Sequence, residues 1–311
     1  MILLHDIQRQ LRGSLRINEP LAPYTALQVG GPADYWFEPA TKEELVQAVR
    51  YFQEHGVPVL LLTRGSNVLV SDEGYRGAVL SVDKALSQIH LEEVRFDGSE
   101  RRVSIDAGVR VSRFVEFCVE QSLQGPEVLA GSADTVGGWA ENNLRRAEGP
   151  LADHVVEIEI LRRGSLMRLR PAGRETPGRI DLNGDPILAA TFQLPRGKKV
   201  DLMRDRRDWL VKRNAEEPIN LANTGKVFRD PPGIRAAKLI AEAGMQGKRR
   251  GRAHVSERNA NAIVTEYGAK AAEVIALIEL MRRAVRNHSG VSLELQVKLV
   301  GFEGSTNTTL I

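Results

Sequence analysis

One segment, PVLLLTRGSNVLV (Pro58 to Val70), constrains this chain more than any other. Val59 to Leu62 are consecutive aliphatic residues without polar alternation, so they read as a buried strand. The strand runs into Gly65-Ser66-Asn67 and out into a second strand, Val68 to Val70. A turn of this kind is sharp and aims successive backbone N–H groups outward, which is how a nest holds a pyrophosphate without any lysine. Taken alone, the same turn also fits an ordinary hairpin, because Gly-Ser-Asn is common turn chemistry.

The surrounding chain alternates helix and strand. TKEELVQAVRYFQEHG (Thr41 to Gly56) has Thr41 and Glu44 at capping-box spacing, Leu45, Ala48, Val49 and Phe52 at helical period, and Gly56 as its stop. Gly77 to Asp83 reads as a short strand, and Val111 to Leu123 as a helix whose face of Phe114, Val115, Cys118 and Ser122 makes Cys118 a core residue. Leu129 to Gly149, rich in small residues and turn formers, reads as a loop, either functional or disordered. Val156, Ile158 and Ile160 alternate with Glu157 and Glu159, and Ala189 to Leu194 closes a second β-rich block. Beyond Lys198 come a charged helix, a helix after Pro232-Gly233, and a long helix with a stripe of Val274, Ile278, Met281 and Val285. VSLELQVKLVGF then reads as a final strand. We expect domains at 1–85, 86–198 and 199–311, with the last residues returning to the first of them.

Composition removes several classes of function. With 311 residues, 42% apolar, the chain can bury one large core or a few small ones. The 43 Lys+Arg against 40 Asp+Glu leave a formal +3, which suits an anionic small molecule at least as well as a nucleic acid. The single cysteine rules out an internal disulfide and any cysteine-cluster metal site, and the histidines lack ligand spacing, so no metal is expected. The start MILLHDIQRQLRG has no apolar signal-like core, and no run long enough to span a membrane follows, so the expectation is a cytoplasmic protein without membrane contact. The run Lys248-Arg249-Arg250-Gly251-Arg252 has no interleaved aromatics and reads as solvated surface, with a diphosphate contact as the sharper alternative and a nucleic-acid site disfavoured.

Two further segments bear on the Gly-Ser-Asn turn: YTALQVGGPA (Tyr24 to Ala33) and AGSADTVGGWAENN (Ala130 to Asn143). Gly30-Gly31-Pro32 in the first, and Gly131, Gly137 and Gly138 in the second, permit close backbone approach. In order and spacing the three segments resemble the FAD-binding half of the UDP-N-acetylenolpyruvoylglucosamine reductase (MurB) family, with its NT-x3-GGPA, G-x-GSN-x-LV and AG-x-PGTVGGA-x3-NAGA patterns. NTGKVFRDPPGIRAAKLIAEAGMQGKRRGRAHVSERNANAIV (Asn223 to Val264) and GVSLELQVKLVG (Gly290 to Gly301) resemble that family's substrate domain, so the likeness covers about residues 18 to 302. It implies an α+β fold in which two small α/β domains, of the type shared by MurB and vanillyl-alcohol oxidase, hold FAD while a third α+β domain closes over a UDP-sugar. It also implies NADPH as hydride source and a role in peptidoglycan precursor synthesis; the oligomeric state stays open. The cofactor residues it implies are Thr63, Arg64, Gly65, Ser66 and Asn67 in one loop, and Gly131, Ser132, Thr135, Val136, Gly137, Gly138 and Asn143 in the other.

The departures from the family pattern cluster where the resemblance implies catalysis. Lys226 stands at the position of the family's proton-donating Ser. An ammonium is a competent acid when burial lowers its pKa, and it is equally a contact for a phosphate or carboxylate. Gln296 replaces a catalytic Glu, keeping hydrogen bonding but not charge, and Glu294 lies two residues away on the same strand face, about 6 to 7 Å distant. Arg179 falls at the family's enolate-stabilising Arg, with Arg174 as a rival across a weakly aligned loop. Arg145 and Arg146 replace small residues beside the flavin, and Phe228-Arg229-Asp230-Pro231 replaces FKNP. The main expectation is therefore a divergent reductase. The alternative is a paralogue that keeps FAD but has another oxidoreductase substrate or a non-catalytic role.

Overall fold

The computed structural model describes residues 10–92, 100–144, 151–171, 182, 184–218 and 221–302. Strands β1 (Ser14–Pro20) and β2 (Pro32–Glu38) form an antiparallel pair, α1 (Lys42–Glu54) crosses over, and β3 (Val59–Leu62) leads through a short loop to β4 (Val68–Val70) and β5 (Tyr75–Ser81). The first sheet has the order β1-β2-β5-β3, with β5 parallel to both its neighbours. All four residues of β3 are buried, as the unbroken aliphatic run requires. Because β4 lies in a different sheet from β3, the loop between them is not a hairpin. Helix α1 is started by Thr41, whose hydroxyl accepts from Glu44 N–H at 3.2 Å, while the Glu44 carboxylate accepts from Ala40 N–H at 2.7 Å.

The second block comprises β6 (Ile89–Leu91), β7 (Glu100–Asp106), α2 (Val111–Glu120), α3 (Val136–Asn143), β8 (Val155–Arg162), β9 (Ser165–Leu169) and β10 (Ile187–Pro195). Its strands form an antiparallel sheet of order β6-β7-β10-β8-β9. Helix α3 lies inside the stretch that reads as a loop in the sequence. Its apolar signal is only Val136, Trp139 and Ala140, and two glycines mask it; burial of those side chains and a Thr135 cap outweigh the poor propensity. Trp139 and Phe114 both pack on Phe192 of β10, at 5.6 and 5.0 Å between ring centroids. One apolar cluster runs from α1 and β3 through α2 and α3 to this sheet and includes Cys118, whose thiol burial, with Glu127 nearby, raises well above its ordinary pKa.

The last third contains α4 (Lys199–Glu216), α5 (Ala236–Glu242), a small antiparallel sheet of β11 (Arg249–Arg250), β12 (Ala253–Val255) and β13 (Ile263–Thr265), the long α6 (Ala271–Ser289), and β14 (Lys298–Val300). Val274, Ile278, Met281 and Val285 form the buried stripe of α6, which ends at Gly290 in the left-handed conformation. The core beneath that stripe is completed by Leu27, Val29 and Leu69 from the first block. The expected final strand from Val291 is shorter than its alternation suggests. It first makes an isolated bridge from Leu295 to Phe228, then changes partner and pairs in parallel with β4, Lys298 opposite Val68. A segment that crosses between two modules cannot sustain one ladder. Among the described residues, no helix is long and apolar enough to cross a membrane.

Helix α1 is also clasped electrostatically to the second sheet. Lys42 of α1 reaches Asp106 at 3.1 Å and Glu159 at 2.8 Å. Burial depresses its pKa, but the hydrogen bond it donates to Glu159 and the Asp106 charge outweigh that and raise it. A raised folded-state pKa gives stability that is fully present below the unfolded value and lost as pH rises through the folded one. Lys42→Met should therefore cost about 2 kcal/mol near neutral pH, with the gap to the parent closing above about pH 10.4 in urea denaturation series.

Candidate active site

The turn after β3 holds its shape because of Gly65. Its φ of +57° is left-handed, and a Cβ there would overlap the Tyr24 carbonyl oxygen, so a side chain is excluded twice over. The Gly65 carbonyl accepts from Ala26 N–H at 2.9 Å, tying the turn to the Tyr24–Ala33 segment. Among the described residues, the backbone N–H groups of Arg64, Gly65, Ser66 and Asn67 donate to nothing. Four consecutive unpartnered donors in a turn with one positive-φ residue are the elements an anion nest requires, and the loop is called the nest below. Thr63 is buried at the end of β3, and Arg64 is exposed. Nearby Asp83 is held above the usual carboxylate range by burial, against the lowering effects of Arg64 and Arg110.

The second glycine-bearing segment contributes differently. Thr135 caps α3 by accepting from Gly138 N–H at 3.2 Å, while Val136 and Gly137 donate their N–H groups to the carbonyls of Val109 and Ala107, at 2.8 and 2.9 Å. The first turn of α3 is thus anchored on the connection between β7 and α2, and its donors do not face outward. Gly131, at φ +80°, lies under the Arg213 and Leu210 side chains of α4. Asn143 turns back onto its own helix, donating to the Trp139 carbonyl at 2.6 Å. Two side-chain bonds join the segment to the nest: Ser66 Oγ donates to Asp134 Oδ1 at 2.7 Å, and Asn67 Nδ2 donates to Asn142 Oδ1 at 3.1 Å. Ser132 Oγ donates to the other Asp134 oxygen at 3.3 Å.

Across the nest lie the residues of the last third. Asn67 Nδ2 also donates to the Gln296 carbonyl at 3.1 Å, and Gln296 N–H donates to the Val227 carbonyl at 2.8 Å, which sets Gln296 beside the segment carrying Lys226. The Lys226 ammonium is half-exposed and meets Asp230 at 2.8 Å. Burial raises the Asp230 pKa, but the hydrogen bonds from Lys226 and from Ala236 N–H lower it further than burial raises it. Glu294 and Gln296 lie outside any strand, so the strand face expected to carry both does not form; Glu294 pairs with Arg229 at 3.3 Å, and Arg229 Nη1 donates to the Asn142 carbonyl at 3.3 Å. In the basic run, Lys248, Arg249, Arg250 and Arg252 are all exposed, and Arg249 pairs with Glu266. Arg179, Arg174, Arg145 and Arg146 lie outside the described residues.

Several participants were not visible as such in the sequence. Asp134, Asn142 and Lys298 carry no motif signal; Glu141 stands out only as an acid within a small-residue stretch. A separate open cavity of about 480 Å³ at the start of α1 is lined by Lys42, Asp106, Glu159 and Thr191, and contains none of the candidate cofactor or catalytic residues expected from the sequence. No cluster of potential metal ligands occurs among the described residues.

Comparisons with known proteins show which family the chain belongs to. The model of an FAD binding domain matches residues 33–170, and that of the UDP-N-acetylenolpyruvoylglucosamine reductase C-terminal domain matches residues 217–300. The UDP-N-acetylenolpyruvoylglucosamine reductase of Chloroherpeton thalassium is 33% identical, covering 97% of this chain and 98% of its own. That of Syntrophus aciditrophicus is 34% identical over 97% of this chain and 99% of its own. The crystal structure of UDP-N-acetylenolpyruvylglucosamine reductase (MurB) from Thermus caldophilus superposes with a TM-score of 0.70 at 26% identity, covering 93% of this chain and 99% of that one. The α+β fold and its cradle define a flavin-dependent oxidoreductase. Within that class, the chain belongs to the UDP-N-acetylenolpyruvoylglucosamine reductase (MurB) family.

The residues present fit a dinucleotide cofactor, since the Arg64–Asn67 donors offer four N–H groups to a diphosphate and no side chain projects from the turn at Gly65. Gly65→Val should yield protein that purifies without yellow colour. Full flavin content in that variant, read from absorbance near the flavin band, would place the cofactor elsewhere.

Proposed function

We propose that this protein reduces UDP-N-acetylenolpyruvoylglucosamine to UDP-N-acetylmuramate with NADPH, as a flavoenzyme of peptidoglycan precursor synthesis. The observation that carries the reading is the pair of hydrogen bonds that Asn67 Nδ2 donates to Asn142 and to the Gln296 backbone carbonyl, which unites the nest with the segments bearing Lys226 and Gln296. The relatives that match end to end are named for this reaction, which supports it over a paralogue with another substrate or no catalysis. The absence of a membrane-crossing helix among the described residues is consistent with work in the cytoplasm on a soluble nucleotide sugar.

Bound FAD would take a hydride from NADPH and deliver it to the enolpyruvyl double bond. The N–H groups of Arg64–Asn67 would hold the cofactor diphosphate, with Thr63 closing the end of β3 and Ser66 and Asn67 linking to the α3 segment of Gly131, Ser132, Thr135, Val136, Gly137, Gly138 and Asn143. Lys226 supplies the proton that completes addition across the double bond, its ammonium steered by the Asp230 carboxylate. The resemblance gives the enolate-stabilising role to Arg179, whose charge would become more favourable as the enolate develops. Gln296 orients the substrate by hydrogen bonds, since an amide carries no charge to exchange. The Arg229–Glu294 pair neutralises a carboxylate that would otherwise repel a UDP-sugar.

The test separates the half-reactions. Anaerobic NADPH should reduce the bound flavin, and UDP-N-acetylenolpyruvoylglucosamine should then reoxidise it rapidly; reduction without reoxidation defeats the substrate assignment. Lys226→Ala should slow reoxidation by about 10² to 10⁴, the usual effect of removing a general acid, and leave flavin content unchanged. Lys226→Ser should retain more of the rate than Lys226→Ala. Parental reoxidation in Lys226→Ala removes the lysine from the proton step.

A further inference from the structure

The C-terminal end of α3 is gripped from three directions. Asn67 holds the Asn142 side chain, Arg229 holds the Asn142 carbonyl, and Lys298 of β14 meets the Glu141 carboxylate at 3.0 Å. The Glu141 side chain is 2% exposed and that of Lys298 27%, so this is a largely desolvated charge pair. Such pairs contribute little net stability compared with apolar residues of similar volume, yet removing one partner is strongly destabilising because a buried charge is left behind. What an ion pair adds over an apolar contact is direction. Apolar burial tolerates sliding, whereas a carboxylate and an ammonium must meet atom to atom.

The two partners sit where that direction matters. Lys298 reaches Glu141 from a strand seated on β4, where its own N–H donates to the Asn67 carbonyl at 3.0 Å and the Val300 carbonyl accepts from Ser71 N–H at 2.8 Å. Glu141 is presented by α3 as it lies bound to the nest loop through Ser66–Asp134 and Asn67–Asn142. Two residues before Lys298 comes Gln296, hydrogen-bonded by its backbone to Val227, the neighbour of Lys226. The pair therefore closes only when the nest loop, α3 and the strand of Gln296 are all in register.

We propose that Glu141 and Lys298 form a positioning pair that couples FAD occupancy of the nest to the placement of the segments bearing Gln296 and Lys226. It rests on the reading of the nest as the FAD site. The coupling is reciprocal: if bound FAD steadies β14, loosening β14 weakens FAD by the same factor.

Hydrogen exchange with and without FAD, combined with titration of FAD into stripped protein, tests the coupling on the full chain. In the parent, FAD should slow exchange of the backbone amides of Val227 to Arg229 and Gln296 to Val300. Lys298→Met should weaken FAD binding by about tenfold or more, within the usual span of coupling between sites, and abolish that distant protection. Lys298→Arg should restore both. The paired change Glu141→Leu with Lys298→Met keeps volume and removes both charges, so it should fold with a Tm near the parent's yet still lack the FAD-dependent protection. Parental affinity and protection in Lys298→Met, or in the double variant should the single one not fold, overturn the proposal. A parent that binds no FAD at all overturns the flavin reading of the nest instead.

Discussion

Asn67 donates from its side chain to Asn142 and to the Gln296 carbonyl, while its own carbonyl accepts from Lys298 N–H. Segments from the first sheet, from α3 and from the end of the chain are thereby held on one residue. The turn that presents Asn67 exists because Gly65 adopts a left-handed conformation against the Tyr24 carbonyl, and the turn is fixed in space because β3 is buried on both faces. A change in any of these three features moves the anion nest and the strand of Gln296 together. The core elsewhere supports this arrangement, since Leu69 of β4 packs into the cluster beneath α6 and brings the last third of the chain against the first.

The electrostatics of the site follow from where charges find partners. Asp230 holds Lys226, Arg249 pairs with Glu266, and Glu294 pairs with Arg229. Glu294 shares no strand face with Gln296, because the regular strand begins only at Lys298, and its carboxylate is engaged by the guanidinium of Arg229. The two glycine loops also divide the work unequally. Loop 64–67 keeps its N–H groups free, whereas the first turn of α3 donates to Ala107 and Val109 and acts as a fixed wall.

Much of this was legible in the sequence because it depends on local rules. The aliphatic run of β3, the Thr41 cap, the stripe of α6 and the burial of Cys118 each follow from short-range periodicity or turn chemistry. The likeness of the three glycine-bearing segments to the MurB family was legible for the same reason: backbone approach to a diphosphate demands glycines at set spacings. Helix α3 was not legible, because eight residues with two glycines carry too little apolar period to outweigh a loop reading. The strand of Gln296 read as longer than it is, because its partner changes from Phe228 to β4 partway along.

By itself the sequence determined which residues are apolar and where turns must fall, since these are properties of a residue and its near neighbours, whereas which glycine segment keeps its backbone donors free was decided by the fold. Tertiary structure alone decided that β4 leaves the sheet of β3 to receive β14, that Asp134 links two loops, and that Lys298 finds Glu141 across 157 positions. Such pairings depend on which distant surfaces the cores bring into contact. A buried charge has no signature in its own neighbourhood; its partner is chosen by the packing that removes both from water.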